Sequence, residues 1–200
     1  MKVISKFILV GMVVLSTVAV HAQGLQLGYV NSKTLTTIDG STASTNLDGI
    51  QAGLNYKMEV QGPVSLQYGL LYSYLFKNDE ILSVDYKTRA HVLDIPVHLA
   101  MDFPLTDNVN AFVSAGPDFS YALSNKTTAD LPIVGETTAN LYGDDSDYSR
   151  FNMQLGVCAG VSLNKVVLKF GYHWGVIDLN KADNIKVKGN TLSASIGYNF

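Results

Sequence analysis

One cysteine in 200 residues, Cys158, excludes an internal disulfide framework. As a small, buried-type residue in a strand it calls for no special chemistry. Charge is scarce as well: Asp, Glu, Lys and Arg make up 16% of the chain, against roughly 25% in soluble domains. Basic residues do not exceed acidic ones, 14 against 17, so there is no basic face for nucleic acid. After the first 22 residues no apolar run approaches the ~20 residues that a spanning helix needs. Yet 47% of residues are hydrophobic, and Gly (17) and Tyr (11) are frequent. Such a chain must spread its apolar residues thinly. A membrane barrel does so, placing them one in two.

Residues 1–22 read as an export signal. Lys2 and Lys6 open it, residues 7–20 are almost unbroken apolar, and Val20, His21 and Ala22 suit a signal peptidase. Cleavage is expected after Ala22, leaving residues 23–200 as one domain. The alternative is an N-terminal membrane anchor, for which the apolar run is short. No cysteine follows the run, which argues against a lipid-anchored protein.

Period-two alternation dominates the remainder, and a strand sends alternate side chains to opposite faces. Ile50, Ala52, Leu54, Tyr56 and Met58 alternate with Gln51, Gly53, Asn55, Lys57 and Glu59. The pattern returns over residues 64–76, 93–103, 109–121, 151–163, 166–175 and 192–200, with Leu71 and Leu75 as exceptions on the polar side. A short first strand over residues 25–30 brings the count to eight. Tight turns at 59–63, 104–108 and 163–165 alternate with longer polar connections at 31–46, 77–87, 124–149 and 178–189. Short turns on one rim and long loops on the other are the layout of an outer-membrane barrel, with both termini on the short-turn rim. Pro96 and Pro117 fall inside strands, where proline cannot donate to the ladder; a bulge or a missing bond is expected at each.

A water-soluble, lipocalin-like barrel has the same period with its apolar face inward. Three features favour apolar side chains outward. The polar face is rich in Gly and Ser, which suit a narrow lumen. Tyr29, Tyr56, Tyr72, Tyr74, Tyr121, Tyr172, Trp174 and Tyr198 collect near strand ends, where such rings meet a membrane interface. Charge gathers in the connections, as at Asp144, Asp145 and Asp147. The expected fold is all-β: an eight-stranded antiparallel up-and-down transmembrane β-barrel.

The segments LDIPVHLAMDFPL (93–105), AGPDFSYAL (115–123), GYHWGVIDL (171–179) and the terminal ASIGYNF resemble the outer-membrane β-barrel (PorT-like, "porin family") proteins of Bacteroidota-type bacteria. The resemblance implies export to a bacterial outer membrane and supplies precedent for both prolines. It also implies that Ile196, Tyr198 and Phe200 form the signal read by the barrel-assembly machinery. It does not imply a pore.

The inward polar set comprises Lys57, Glu59, Asp94, His98, Asp102, Asp118, Lys169 and His173. Buried charges need partners. A network plugging the lumen is expected, with Lys57 and Lys169 opposite Glu59 and Asp102 near the periplasmic end; the alternative is a narrow polar path. No metal or other cofactor is expected. His91 lies on the face opposite His98, and Asp94, His98 and Asp102 are separated by steps of about 13 Å along one strand. The loop acids Asp144, Asp145 and Asp147 lack the spacing of a dedicated Ca²⁺ loop, so a solvated tip is the plainer reading. A lipid deacylase needs a Ser–His–acid set reachable from lipid; His173 points inward, and Ser162 and Ser195 read as small lumen residues. No enzymatic activity is expected. The function classes left open are a structural or surface-interaction barrel, a small transporter or accessory part of a secretion complex, and a lipid-modifying enzyme. Expected contacts are outer-membrane lipids and lipopolysaccharide, the assembly machinery, and an unidentified extracellular or envelope protein.

Overall fold

The computed structural model describes residues 23–81, 84–131, 135–142, 146–180 and 185–200. The expected export signal, residues 1–22, and its expected cleavage point lie outside them. Among these described residues nine strands form one antiparallel sheet: β1 (Gly24–Ile38), β2 (Ser41–Gln61), β3 (Val64–Ile81), β4 (Val84–Thr106), β5 (Val109–Leu131), β6 (Gly135–Asn140), β7 (Phe151–Leu163), β8 (Val166–Gly175) and β9 (Ile185–Asn199). The order β4-β3-β2-β1-β9-β8-β7-β5 closes on itself through β4–β5 pairing, giving a ring of eight. The remaining strand, β6, lies outside the ring of eight and pairs antiparallel with the outer end of β5, from Lys126↔Asn140 to Leu131↔Gly135. Gly24 pairs with both Asn55 and Asn199, so the described ends of the chain meet on one rim. The tight turns lie on the same rim, two of them helped by left-handed backbone at Gly62 (φ 56°) and Asn164 (φ 51°).

Alternation places the apolar side chains outside. Leu27, Leu99, Leu155, Phe170 and Ile196 are exposed, whereas Gln26, Gln51, His98, Ser114 and Gln154 are buried in the lumen. A soluble can would reverse this. The outward stripe is a continuous apolar band that suits hydrocarbon, with Tyr and Trp among its members. Leu71 and Leu75, the two breaks in the alternation, point inward and are buried. Leu75 packs with Val30 and Ala90 in a small apolar cluster inside the barrel, flanked by Leu47 and Val92.

Two sequence expectations change in detail. Residues 31–46 and much of 77–87 are not loops; they continue the ladders. β1 and β2 pair without interruption as far as Ile38↔Ser41. A two-residue turn joins them, Asp39 and Gly40 at φ 47° and 82°, the left-handed pair that matches hairpin twist. The segment 124–149 likewise begins with β5 continuing to Leu131 and includes β6. The prolines cause gaps without bulges. Between β3 and β4 the pairing stops at Tyr68↔Val97 and resumes in the same register at Leu71↔Asp94, passing Pro96. Between β4 and β5 it stops at Pro96↔Asp118 and resumes in register at Leu99↔Ala115, passing Pro117. A glycine faces each gap. A Cβ on Gly116 would lie 2.2 Å from the Val97 carbonyl oxygen, so the backbones approach closely there.

Candidate functional site

The polar groups of the lumen sit at three levels, set by strand parity on β4. Asp94, His98 and Asp102 all point inward, four residues apart, and each gathers partners from other strands.

Near the short-turn rim, Lys57 Nζ lies 2.9 Å from Asp102 Oδ1. β3 lies between their two strands, and its Ser65 hydroxyl donates to Asp102 Oδ2 at 2.8 Å. Asn110 of β5 donates to Oδ1 at 2.9 Å. The other half of the expected pairing is different. Glu59 is exposed at the rim, paired with Ser65 at the last position before the β2–β3 register shifts toward the turn. Lys169 is half-buried beside a cavity of about 470 Å³ that Asp102 also lines, yet no salt bridge joins it to a carboxylate among the described residues. Glu59 therefore stands apart from the rim network.

At mid-height Asp118 accepts from two imidazoles. His98 Nε2 lies 3.2 Å from both carboxylate oxygens. His173 Nδ1 lies 2.7 Å from Oδ2. Asp118 is on β5 and His173 on β8, with β7 between them. They meet because the β7 residue paired with His173 is Gly156; a Cβ there would lie 2.4 Å from both Asp118 Oδ2 and His173 Nδ1. The far nitrogen of each ring is also partnered. His173 Nε2 is 3.3 Å from Ser193 Oγ. His98 Nδ1 is 3.5 Å from Ser114 Oγ and 3.8 Å from Cys158 Sγ.

One level higher, Asp94 accepts from Ser120 Oγ (2.6 Å), Ser73 Oγ (2.8 Å) and Gln51 Nε2 (3.3 Å). This level and the histidine level enclose only about 40 Å³ of free space. Beyond it, toward the long hairpins, a further 120 Å³ is lined by Leu141, Tyr142, Tyr148 and Arg150. Arg150 donates to the carbonyls of Leu123 (2.9 Å) and Tyr142 (3.0 Å) and lies over the Tyr142 ring, tying the segment after β6 to the barrel mouth. Burial raises the Tyr142 phenol above its ordinary value, with the Arg150 charge opposing.

The remaining expected site residues are dispersed. Ile196, Tyr198 and Phe200 all lie exposed at the end of the chain. Asp147 is exposed, while Asp144 and Asp145 lie outside the described residues. Sequence spacing along β4 alone hid the His98–Asp118–His173 group, since its members come from three strands. Gly156 and Gly171, small residues on the inward face next to His173, were the readable sign of a crowded polar centre.

No curated protein matches the chain by sequence. Among solved structures, similarity extends to Neisserial surface protein A (19% identity over 88% of this chain and 97% of that one, TM-score 0.43). It extends also to Ail, the attachment invasion locus protein of Yersinia pestis, in complex with a heparin analogue (15%, 88% and 98%, TM-score 0.40). A third is the outer membrane enzyme PagL (14%, 86% and 99%, TM-score 0.48). The family of outer membrane protein β-barrel domains matches residues 17–181. With the closed eight-strand ring and its exposed apolar band, that match leads to one conclusion: the chain belongs to the outer membrane protein β-barrel domain family.

Proposed function

We propose that this small outer-membrane β-barrel is a non-conducting, non-enzymatic scaffold that presents its long hairpins to partners outside the cell. The lumen carries the reading. Two stacked hydrogen-bonded layers, one around Asp94 and one around Asp118, leave about 40 Å³ between the cavities on either side. Such a plug makes a rigid support, and rigid supports carry binding segments. The hairpins formed by β1–β2 and β3–β4 continue well past this plug, and β6 pairs with the equally extended outer end of β5.

The remaining assignments follow from chemistry. The apolar band contacts outer-membrane lipid and, on the outer leaflet, lipopolysaccharide. Ile196, Tyr198 and Phe200 serve as the assembly signal. The segments resembling PorT-like barrels support placing the chain on that branch, and export through a cleaved signal peptide accords with residues 1–22. Against enzymatic action on lipid, Asp118 and His173 are buried in the lumen and turned away from the membrane face. Mass spectrometry of lipid A with and without the protein checks this; an altered acyl pattern overturns it.

Planar-bilayer recording of the purified barrel tests the plug. The expected trace is quiet, and large stable openings refute it. A second reading, a small-solute transporter, draws on the polar cavity of about 470 Å³ beside Lys57, Asp102 and Lys169; those openings are its signature.

A further inference from the structure

His98, Asp118 and His173 offer one ligand atom each within 4.8 Å of one another. The hydrogen bonds among them are satisfied, so a plug accounts for them as they stand. Several features exceed what a plug requires.

The donor set is the first. Two imidazoles and one carboxylate suit zinc and its neighbours among divalent transition metals. The separations are the second. His98 Nε2 to either Asp118 oxygen is 3.2 Å, and His173 Nδ1 to Asp118 Oδ2 is 2.7 Å. Metal–ligand bonds of about 2.0–2.2 Å put neighbouring ligands about 3 Å apart. The two contacts to Asp118 are therefore already near that spacing, and only the imidazoles must draw closer to each other. The third is the outer partners. If both facing nitrogens bind a metal through their lone pairs, each neutral ring must carry its one proton on the far nitrogen, any second proton leaving to solvent, and find an acceptor there. His173 Nε2 has Ser193 Oγ at 3.3 Å, and His98 Nδ1 has Ser114 Oγ at 3.5 Å. Such outer hydrogen bonds fix the tautomer of metal-bound histidine. The fourth is space. Gly156 and Gly171 flank His173, and a Cβ on either would crowd its ring nitrogens, at 2.4 Å from Nδ1 and 2.8 Å from Nε2. The last is access. His98 also lines the cavity of about 470 Å³ below, which gives an ion a polar approach from the short-turn rim.

We infer that His98, Asp118 and His173 form a lumenal binding site for one divalent transition-metal ion of the zinc class, with a fourth position open toward the lower cavity. His98 Nε2, His173 Nδ1 and a carboxylate oxygen of Asp118 are the ligands. Ser114 and Ser193 hold the rings from behind. Cys158, 3.8 Å from His98 Nδ1, packs against the site from the β7 wall.

The test uses the full chain folded in detergent, freed of metal with chelator, incubated with Zn²⁺ and desalted. Elemental analysis is expected to find one zinc per folded chain. H98Q and H173Q are expected to lower zinc affinity at least tenfold, and H91Q, on the outward face, to leave it unchanged. Heat-dependent gel mobility identifies which variants are folded. A folded wild-type barrel that retains no zinc overturns the proposal. So does equal retention by folded H98Q and H173Q. If both variants fail to fold, the visible spectrum of the Co²⁺-loaded wild type decides: intense ligand-field bands of a low-coordinate site support it, and the weak spectrum of hydrated cobalt refutes it. A quiet bilayer trace is compatible with either result, so this site and the plug stand or fall separately.

Discussion

His173 reaches Asp118 over the top of Gly156, with 2.7 Å between Nδ1 and Oδ2 across an intervening strand. The contact exists because β7 carries no side chain at that point. A Cβ there would stand 2.4 Å from both partners. G156A is therefore expected to break the contact and leave a buried carboxylate short of one donor. The expected loss is about 2 kcal/mol of folding stability. Urea unfolding of the folded barrel, followed through the fluorescence of Trp174, measures it; the sequence contains no other tryptophan. An unchanged midpoint would mean that the bridge contributes nothing.

Asp94 is the acceptor that the upper layer of the plug shares. Removing it strands the Ser120 and Ser73 hydroxyls and loosens Gln51. The double variant D94A/Q51A is expected to open the 40 Å³ constriction and give steady ion conductance where the wild type is quiet. Bilayer recordings under identical salt compare the two. A variant as silent as the wild type would place the block elsewhere in the lumen.

The outward band predicts a depth-dependent penalty. Phe170, near the middle of β8, is 63% exposed. F170K is expected to cost roughly 2–4 kcal/mol in a bilayer, and L163K, beside the Asn164 turn, about 0–1 kcal/mol. Equilibrium unfolding from lipid vesicles gives both values. Equal costs at the two positions would contradict a membrane spanning that stripe.

Asp178, in the connection after β8, accepts from the backbone N–H groups of Val187 (2.8 Å) and Asn180 (3.0 Å). Those two bonds hold its carboxyl below the ordinary 3.8, outweighing its slight desolvation, and the charges of Lys186 and Lys188 act in the same direction. With the folded value lowered, the contribution is fully present above the unfolded pKa. It is lost as pH falls through the folded one. The Val187 amide resonance should accordingly titrate below pH 3.8. D178A should speed exchange of that amide at neutral pH, while D178N, which keeps an acceptor oxygen, should largely preserve its protection.

How far the sequence could be read depended on what each residue touches. Where one face meets lipid and the other the lumen, the alternation is legible, as in Ile50 through Met58. Residues 31–46 hid their strands because that hairpin rises past the apolar band into water. Both of its faces are polar there, so no period shows. Asp39-Gly40 was the local sign of the turn. Lys57 and Asp102 could be paired in advance, since both point inward near one rim. Glu59 shares that parity but sits at the open end of the barrel, exposed to solvent, where the ladder reaches its turn.

Sequence alone determined that the chain is strands, which side chains share a face, and where proline interrupts the ladder, because these are properties of single strands read at period two. Only the tertiary structure decided which inward groups meet. Closing eight strands into a ring sets the stagger between them, and that stagger, together with the gap left by Gly156, brings His98, Asp118 and His173 from three strands to one point.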